Sequence, residues 1–421
     1  MSHVSPPKPS IVERGKVRLG QILLGVGNVA NRLVRETMVG EPPLLDPDLP
    51  ALTPHPVAVY FADPPDLVYQ VQQWLPVLAQ VAEHRPVAIV TRHWGTTAAL
   101  RDLTDLPVVF VRKLDGLRPA YGRLGTKTIV YVNNSMRNFQ SLIYQDALHV
   151  HVNHGESDKI SMVSNQVKAY DHVVVAGQAA VERHRRALID FDLDRLVVCG
   201  RPQLDLDVAP VLGPVTGRRT VLYAPTWSGE DDANNYTSLD RYGVAIVRAL
   251  LARDDVRVVY KPHPRVLTTD DKPVAAAHQE IQRLLSAQAS AGHVMPLAAD
   301  VLGVFEGVDL LVTDISSVGL DFLYLRPDAP MVLTDRRTDR ARLLADAPIA
   351  AATDVVDAGS VGDVAAILGA NLAADPHHEA RAALRDHYFG FARGESSRRF
   401  LDLMVSATDR RDVLISDPAR R

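Results

Sequence analysis

The chain has 421 residues, 47% of them hydrophobic and 23% charged, which is enough for two globular domains with sizeable cores. A net charge of -4 argues against a general nucleic-acid binder, and no apolar run reaches the length of a transmembrane helix. The single cysteine, Cys199, ends an apolar run; it excludes an internal disulfide and points to a reducing, cytoplasmic setting.

Residues 1–16 are polar and hold Pro6, Pro7 and Pro9, so disorder is expected there, with no sign of a secretory signal. Over residues 17–40, Leu19, Ile22, Leu23, Val26, Val29, Ala30, Leu33 and Val34 recur at helical spacing among Arg14, Lys16, Arg18, Arg32 and Arg35. This is the pattern of a basic amphipathic helix, able to lie on an anionic membrane surface or to pack on the first domain. Gly20, Gly25 and Gly27 weaken it as a helix. A Pro-rich connector follows to about Pro56.

Residues 55–208 then alternate between apolar runs and helical segments. Buried strands are expected at 57–61, 87–90, 108–111, 128–132, 148–152, 173–176 and 196–199, with helices at 67–81 and 179–188 among those between them. The uncharged stretch 209–217, with two Pro and two Gly, is the linker candidate. A second block, 218–376, repeats the alternation. Strands are expected at 220–223, 257–260, 294–295, 310–312 and 331–333, and helices near 241–252, 274–287, 319–325 and 361–373. A charged helix over 377–406 can run back over the first domain, and 407–421 reads as a frayed tail. The fold class is therefore α/β, two Rossmann-like parallel sheets facing a cleft.

Parallel sheets place ligands at the carboxyl ends of their strands, and polar loops cluster there. After the strand at 310–312, Thr313 and Asp314 break the apolar run. Ser316 and Ser317 are helix N-cap residues, and Asp321 lies just inside the helix. Such a turn aims free N–H groups and the positive end of the helix dipole at the sheet edge, which suits a pyrophosphate; an ordinary capped turn is the alternative. After the strand at 148–152 comes His154-Gly155-Glu156-Ser157-Asp158-Lys159. His154 is a candidate general base, Gly155 allows close backbone approach, Glu156 or Asp158 can orient the imidazole, and Lys159 can meet a phosphate. His149 and His151 share a strand face near His154, but no carboxylate or cysteine completes a metal-ligand spacing, so no metal is expected.

Lys261-Pro262-His263-Pro264 is a rigid strand-end turn presenting a cation and an imidazole. In Ala224-Pro225-Thr226-Trp227 the threonine can donate to a phosphate, and the indole can stack on a base or close a pocket. Arg201, in Gly200-Arg201-Pro202-Gln203-Leu204-Asp205, either faces the cleft or lies on the hinge-side surface. A nucleotide diphosphate fits this set of loops better than an uncharged ligand.

The content and order of these motifs resemble the CDP-glycerol glycerophosphotransferase family, the teichoic acid primases and polymerases. The resemblance covers about residues 148–335. It rests on His154, Gly155 and Lys159; Gly200, Pro202 and Asp205; Ala224 to Trp227; Lys261 to Pro264; and Thr313, Asp314, Ser316, Ser317, Asp321, Arg326 and Pro327. It implies a GT-B fold and transfer of glycerol phosphate from CDP-glycerol to an acceptor hydroxyl with loss of CMP. It also implies His154 as base, His263 acting on the donor phosphate, and Ser316 and Ser317 holding the pyrophosphate, with no cofactor. Glu156 and Ser157 after His154-Gly155, and Gln203 after Pro202, depart from the usual pattern on the acceptor side. Glycerol, ribitol and sugar phosphates all remain candidate cargoes. A lipid-linked or polymer acceptor would place the protein on the inner face of a membrane. The other readings are a GT-B glycosyltransferase using a nucleotide sugar and a non-catalytic nucleotide-binding partner.

Overall fold

The computed structural model describes residues 45–46 and 49–417. The disorder expected over 1–16 and the amphipathic helix expected over 17–40 lie outside the described residues.

The first domain is built on seven parallel strands: β1 (Val57–Phe61), β2 (Val87–Thr91), β3 (Val108–Phe110), β4 (Thr128–Tyr131), β5 (Leu148–His151), β6 (His172–Val175) and β7 (Leu196–Val198). Their order is β3-β2-β1-β4-β5-β6-β7. Val57 of β1 pairs with Val87 on one side and Thr128 on the other, so the order reverses beside β1. Both faces of the sheet are buried, which is why the strands read as continuous apolar runs. One face packs on Trp74, Leu78, Phe400 and Met404, the other on Tyr121, Tyr144 and Tyr170.

The second sheet comprises β8 (Arg219–Ala224), β9 (Val256–Tyr260), β10 (Leu310–Asp314), β11 (Met331–Thr334) and β12 (Asp354–Val356), in the order β12-β11-β10-β8-β9. All are parallel. The loops after β8, β9 and β10 therefore open side by side at the crevice where the order reverses. The strand expected at 294–295 is a single parallel bridge from Val294 to Val259.

Three helical expectations change. The helix expected at 67–81 is broken into a 3-10 turn (Pro65–Leu67), a short helix (Tyr69–Gln72) and a longer one (Leu75–Ala82) with Pro76 in its first turn. The C-terminal segment is two helices, His378–Tyr388 and Glu395–Ser416, separated where Gly390 and Gly394 take φ of 65° and 90°. The tail expected from 407 is helical as far as Ser416. Arg85 pairs with Asp409 at 3.0 Å, Lys127 pairs with Asp412, and Arg411 Nε donates to the Asp146 carbonyl at 2.6 Å.

The helix Glu395–Ser416 returns to the first domain and buries Phe400 and Met404 in its core. The loop after β7 is its seat. Asp205 accepts hydrogen bonds from the backbone N–H groups of Gly394 and Ser397, each at 2.7 Å, and so caps the helix. Gly200 has φ of 76°, and a Cβ there would stand 2.1 Å from Ser396 Oγ. The glycine and aspartate of this motif thus serve the junction between domains.

Candidate functional site

The loop after β5 leaves the sheet through Asn153, whose φ of 56° turns the chain sharply. Its side chain accepts from the His154 N–H at 2.8 Å, and its carbonyl accepts from Trp74 Nε1 at 2.7 Å. These bonds fix His154 over the carboxyl edge of the sheet. Burial holds the imidazole down to about 4, aided by the nearby cations Arg201 and Lys159, so it is neutral at pH 7.

Glu156 and Asp158 do not orient that imidazole. Arg183, on the helix Gln178–Ala187, reaches both carboxylates: Nη1 meets Glu156 at 2.5 Å and Nη2 meets Asp158 at 2.7 Å. Tyr388 from the C-terminal segment donates to the other oxygen of Asp158. All three charged groups are buried, so one guanidinium between two carboxylates offsets their desolvation and locks the loop.

On the opposite wall, the helix Ser317–Leu325 begins at Ser316, whose side chain makes no capping bond. Its first N–H groups are thus left for another acceptor. Gly155 packs directly on this terminus: a Cβ there would stand 3.2 Å from Ser317 Cβ and 3.5 Å from Arg201 Nη1. Arg201 crosses from the first domain to Asp321 at 2.8 Å, both buried. The approach lies off the N–H direction, so this is an ion pair without a hydrogen bond; Arg201 Nη2 donates to Gln73 Oε1 at 3.2 Å. Burial raises the Asp321 carboxyl to about 7 against the pull of Arg201.

Asp314 is turned inward. It accepts from the backbone N–H groups of Thr226 at 2.6 Å and Ser238 at 3.0 Å, and from the Thr334 hydroxyl. It therefore shapes the loop after β8. Thr226 in turn accepts from Lys159 Nζ at 2.8 Å across the cleft. Burial lowers the Lys159 ammonium to about 8, with Asp314 opposing. Lys261 is buried, and its Nζ donates to the Leu297 carbonyl at 3.0 Å.

His263 accepts from the Arg265 backbone N–H at Nδ1, 3.2 Å. The proton of the neutral ring is therefore on Nε2. Burial, with Lys159, His154, Arg265 and Lys261 around it, keeps the ring well below the ordinary histidine range. Rings connect the two histidines. Tyr69 stands edge-on to His154, with centroids 6.1 Å apart, and to His263 at 5.8 Å. His263 is 6.3 Å from Trp227, whose face is covered by the Arg265 guanidinium at 3.8 Å.

His149 and His151 are separate from this array. His149 bonds Tyr131 and the Tyr144 carbonyl, and His151 faces the Asn133 carbonyl, all inside the first domain. Among the described residues no group of three or more His, Cys, Asp or Glu has the disposition of a metal site. Tyr69, Trp74, Gln73, Arg183 and Arg265 carry the site's geometry yet belong to no motif in the sequence. Only the two prolines before Asp66 hinted that the chain near Tyr69 is not one smooth helix.

Residues 145–406 match the family model described as CDP-glycerol:poly(glycerophosphate) glycerophosphotransferase. The chain belongs to that family. The match extends beyond the region of motifs on both sides and takes in the first half of the returning C-terminal helix, as far as residue 406. No curated protein matches the sequence. Among solved structures, the wall teichoic acid polymerase TagF aligns with a TM-score of 0.54 at 13% identity, covering 93% of this chain and 98% of that one. A UDP-N-acetylglucosamine 2-epimerase from Listeria monocytogenes, itself assigned only provisionally, aligns at 0.58 and 14%, covering 85% and 98%. The glycosyltransferase of kitacinnamycin aligns at 0.54 and 13%, covering 85% and 100%. The fold is that of GT-B glycosyltransferases and epimerases, and the family makes this glycerophosphotransferase-like chain a transferase.

Proposed function

We propose that the protein transfers glycerol phosphate, or a related polyol or sugar phosphate, from a CDP-linked donor to an acceptor hydroxyl and releases CMP. The observation that carries this reading is the placement of two neutral histidines from opposite domains on one tyrosine ring, beside an uncapped helix N-terminus.

In this reading the donor diphosphate lies against the N–H groups at Ser316 and Ser317, with Lys159 and Lys261 contributing positive charge. His154 accepts the proton of the acceptor hydroxyl as its oxygen bonds to the phosphorus that carries the polyol. The bond from that phosphorus to the bridging oxygen breaks, and CMP leaves with the electron pair. His263 donates a hydrogen bond from Nε2 to a phosphate oxygen as charge moves onto CMP. Trp227 and Thr226 border the nucleotide, and Arg201 and Gly155 border the acceptor. Helix dipole and lysines meet the diphosphate charge, so the scheme calls for no metal or cofactor.

The acceptor in this reading is a growing polymer or a lipid-linked primer, handled at the inner face of a membrane. No helix of the described residues is long and apolar enough to cross one. Contact would then be peripheral, with residues 17–40 as the candidate segment. The fold likeness to enzymes of nucleotide sugars supports a second reading, a GT-B glycosyltransferase.

The deciding experiment measures nucleotide release from CDP-glycerol, CDP-ribitol and a panel of UDP- and GDP-sugars, with and without a membrane extract. Extract-dependent CMP release supports the first reading. UDP or GDP release moves the assignment to the second. His154→Ala is expected to lower turnover by roughly 10²–10⁴-fold with folding intact; unchanged turnover removes His154 from the scheme.

A further inference from the structure

We propose that Tyr69 is a positioning residue for both histidines: one ring from the first domain sets the imidazoles of the two domains relative to each other and keeps water from between them. The inference rests on the reaction proposed above, but its geometry stands independently. Tyr69 is perpendicular to each imidazole, with an interplanar angle of 86° in both cases. Aromatic rings prefer this edge-to-face arrangement, and each such pair is directional. One side chain therefore restrains two groups that no hydrogen bond joins.

The segment carrying Tyr69 is built as a backing plate. Gln70 accepts from Asn133 Nδ2 at 2.8 Å, Gln73 accepts from Arg201, and Trp74 donates to the Asn153 carbonyl. Three neighbours of Tyr69 thus hold the loop after β4, the ion-paired arginine and the loop of His154. The short helix Tyr69–Gln72 is set off by turns at Val68, Gln73 and Trp74, all of which keep right-handed helical backbone. Among the described residues the Tyr69 hydroxyl meets only Gln70 Nε2, at 3.4 Å, so the ring rather than the hydroxyl makes the functional contact.

Removing the ring admits water to both imidazoles. Burial is the first cause of their low proton affinity, so both should bind a proton more readily. The recovery is partial, because the cations remain. Arg201 and Lys159 face His154; Lys159, Lys261 and Arg265 face His263, and each histidine faces the other; Arg265, Asp66 and Glu230 surround Tyr69.

The test titrates His154 and His263 by NMR in the full chain and in Tyr69→Phe and Tyr69→Ala, and records the pH profile of kcat/KM for CMP release. Tyr69→Phe should leave both titrations and the profile in place. Tyr69→Ala should raise both by about one pH unit, move the acid limb of kcat/KM upward with them, and lower kcat about tenfold or more. Unmoved titrations in a folded Tyr69→Ala protein overturn the proposal. So does a Tyr69→Phe protein that shows the full loss, since the hydroxyl would then be the active part. The titrations need no donor, so a wild-type protein that releases no CMP refutes the reaction and leaves this test intact.

Discussion

Lys159 of the first domain donates a hydrogen bond to Thr226 of the second, 2.8 Å across the cleft. The two residues come from loops at the carboxyl ends of β5 and β8, so this bond, with that from the Ile160 N–H to the Tyr236 hydroxyl at 3.1 Å, ties the loop of the proposed base to the loop beside the donor helix. Its strength depends on the ammonium proton, which burial has loosened to about 8. Below that pH Lys159 is charged and draws a diphosphate; above it the charge is lost. The free-enzyme profile of kcat/KM should therefore fall as pH rises through about 8. Lys159→Met should abolish this basic limb and lower kcat/KM by about 10²-fold. A basic limb that persists in the methionine variant would assign it to another group.

Gly155→Ala tests the seat of that loop on the helix Ser317–Leu325. The new methyl group meets Ser317 Cβ at 3.2 Å, so loop and helix must separate by a few tenths of an ångström. The expected result is a tenfold to 10²-fold loss of kcat/KM with stability changed by less than about 1 kcal/mol. Unaltered kinetics would show that this contact is not used in the reacting state.

Arg183→Met leaves Glu156 and Asp158 buried without their cation. Breaking such a cluster costs about 3–5 kcal/mol, measurable as a shift of the urea midpoint. Adding Glu156→Gln and Asp158→Asn should restore part of the loss, because the uncompensated charges are removed. No restoration would mean that Arg183 acts through packing alone.

Asp205→Ala removes the acceptor that caps the helix Glu395–Ser416. A loss of about 1–2 kcal/mol is expected, together with faster proteolysis between the domains near Gly390 and Gly394. Stability and proteolysis both at wild-type levels would show that the buried side chains hold the helix without its cap.

The strands were legible because a parallel sheet covered on both faces leaves apolar runs such as Val57–Phe61 and 310–312, the latter continuing as strand through the polar Thr313 and Asp314. β12 was not, since Asp354–Val356 is three residues long and opens with a charge. The strand-end loops were legible as chemistry because His, Lys and Ser recur where parallel sheets hold ligands. Which groups those loops would spend on one another was not. Arg183 lies 25 and 27 residues from the carboxylates it holds, on a helix that reads as an ordinary charged surface helix. Asp314 stands in the turn expected to take a pyrophosphate, and its carboxylate is occupied by two backbone N–H groups and a hydroxyl. Tyr69 carries no signal of its own, because an aromatic residue in a mixed segment is most simply read as core.

The return of the helix Glu395–Ser416 to the first domain has a consequence for synthesis. Phe400 and Met404 complete a core whose other members lie at residues 57–199. On the ribosome that core waits for about two hundred further residues, some tens of seconds at bacterial or eukaryotic rates of roughly 5–20 residues per second. The second sheet, finished by β12, has its strands in hand before the first domain receives its last two core side chains. The domain translated first is therefore the one completed last, and its apolar face over Trp74 is what a nascent-chain chaperone would meet in the interval.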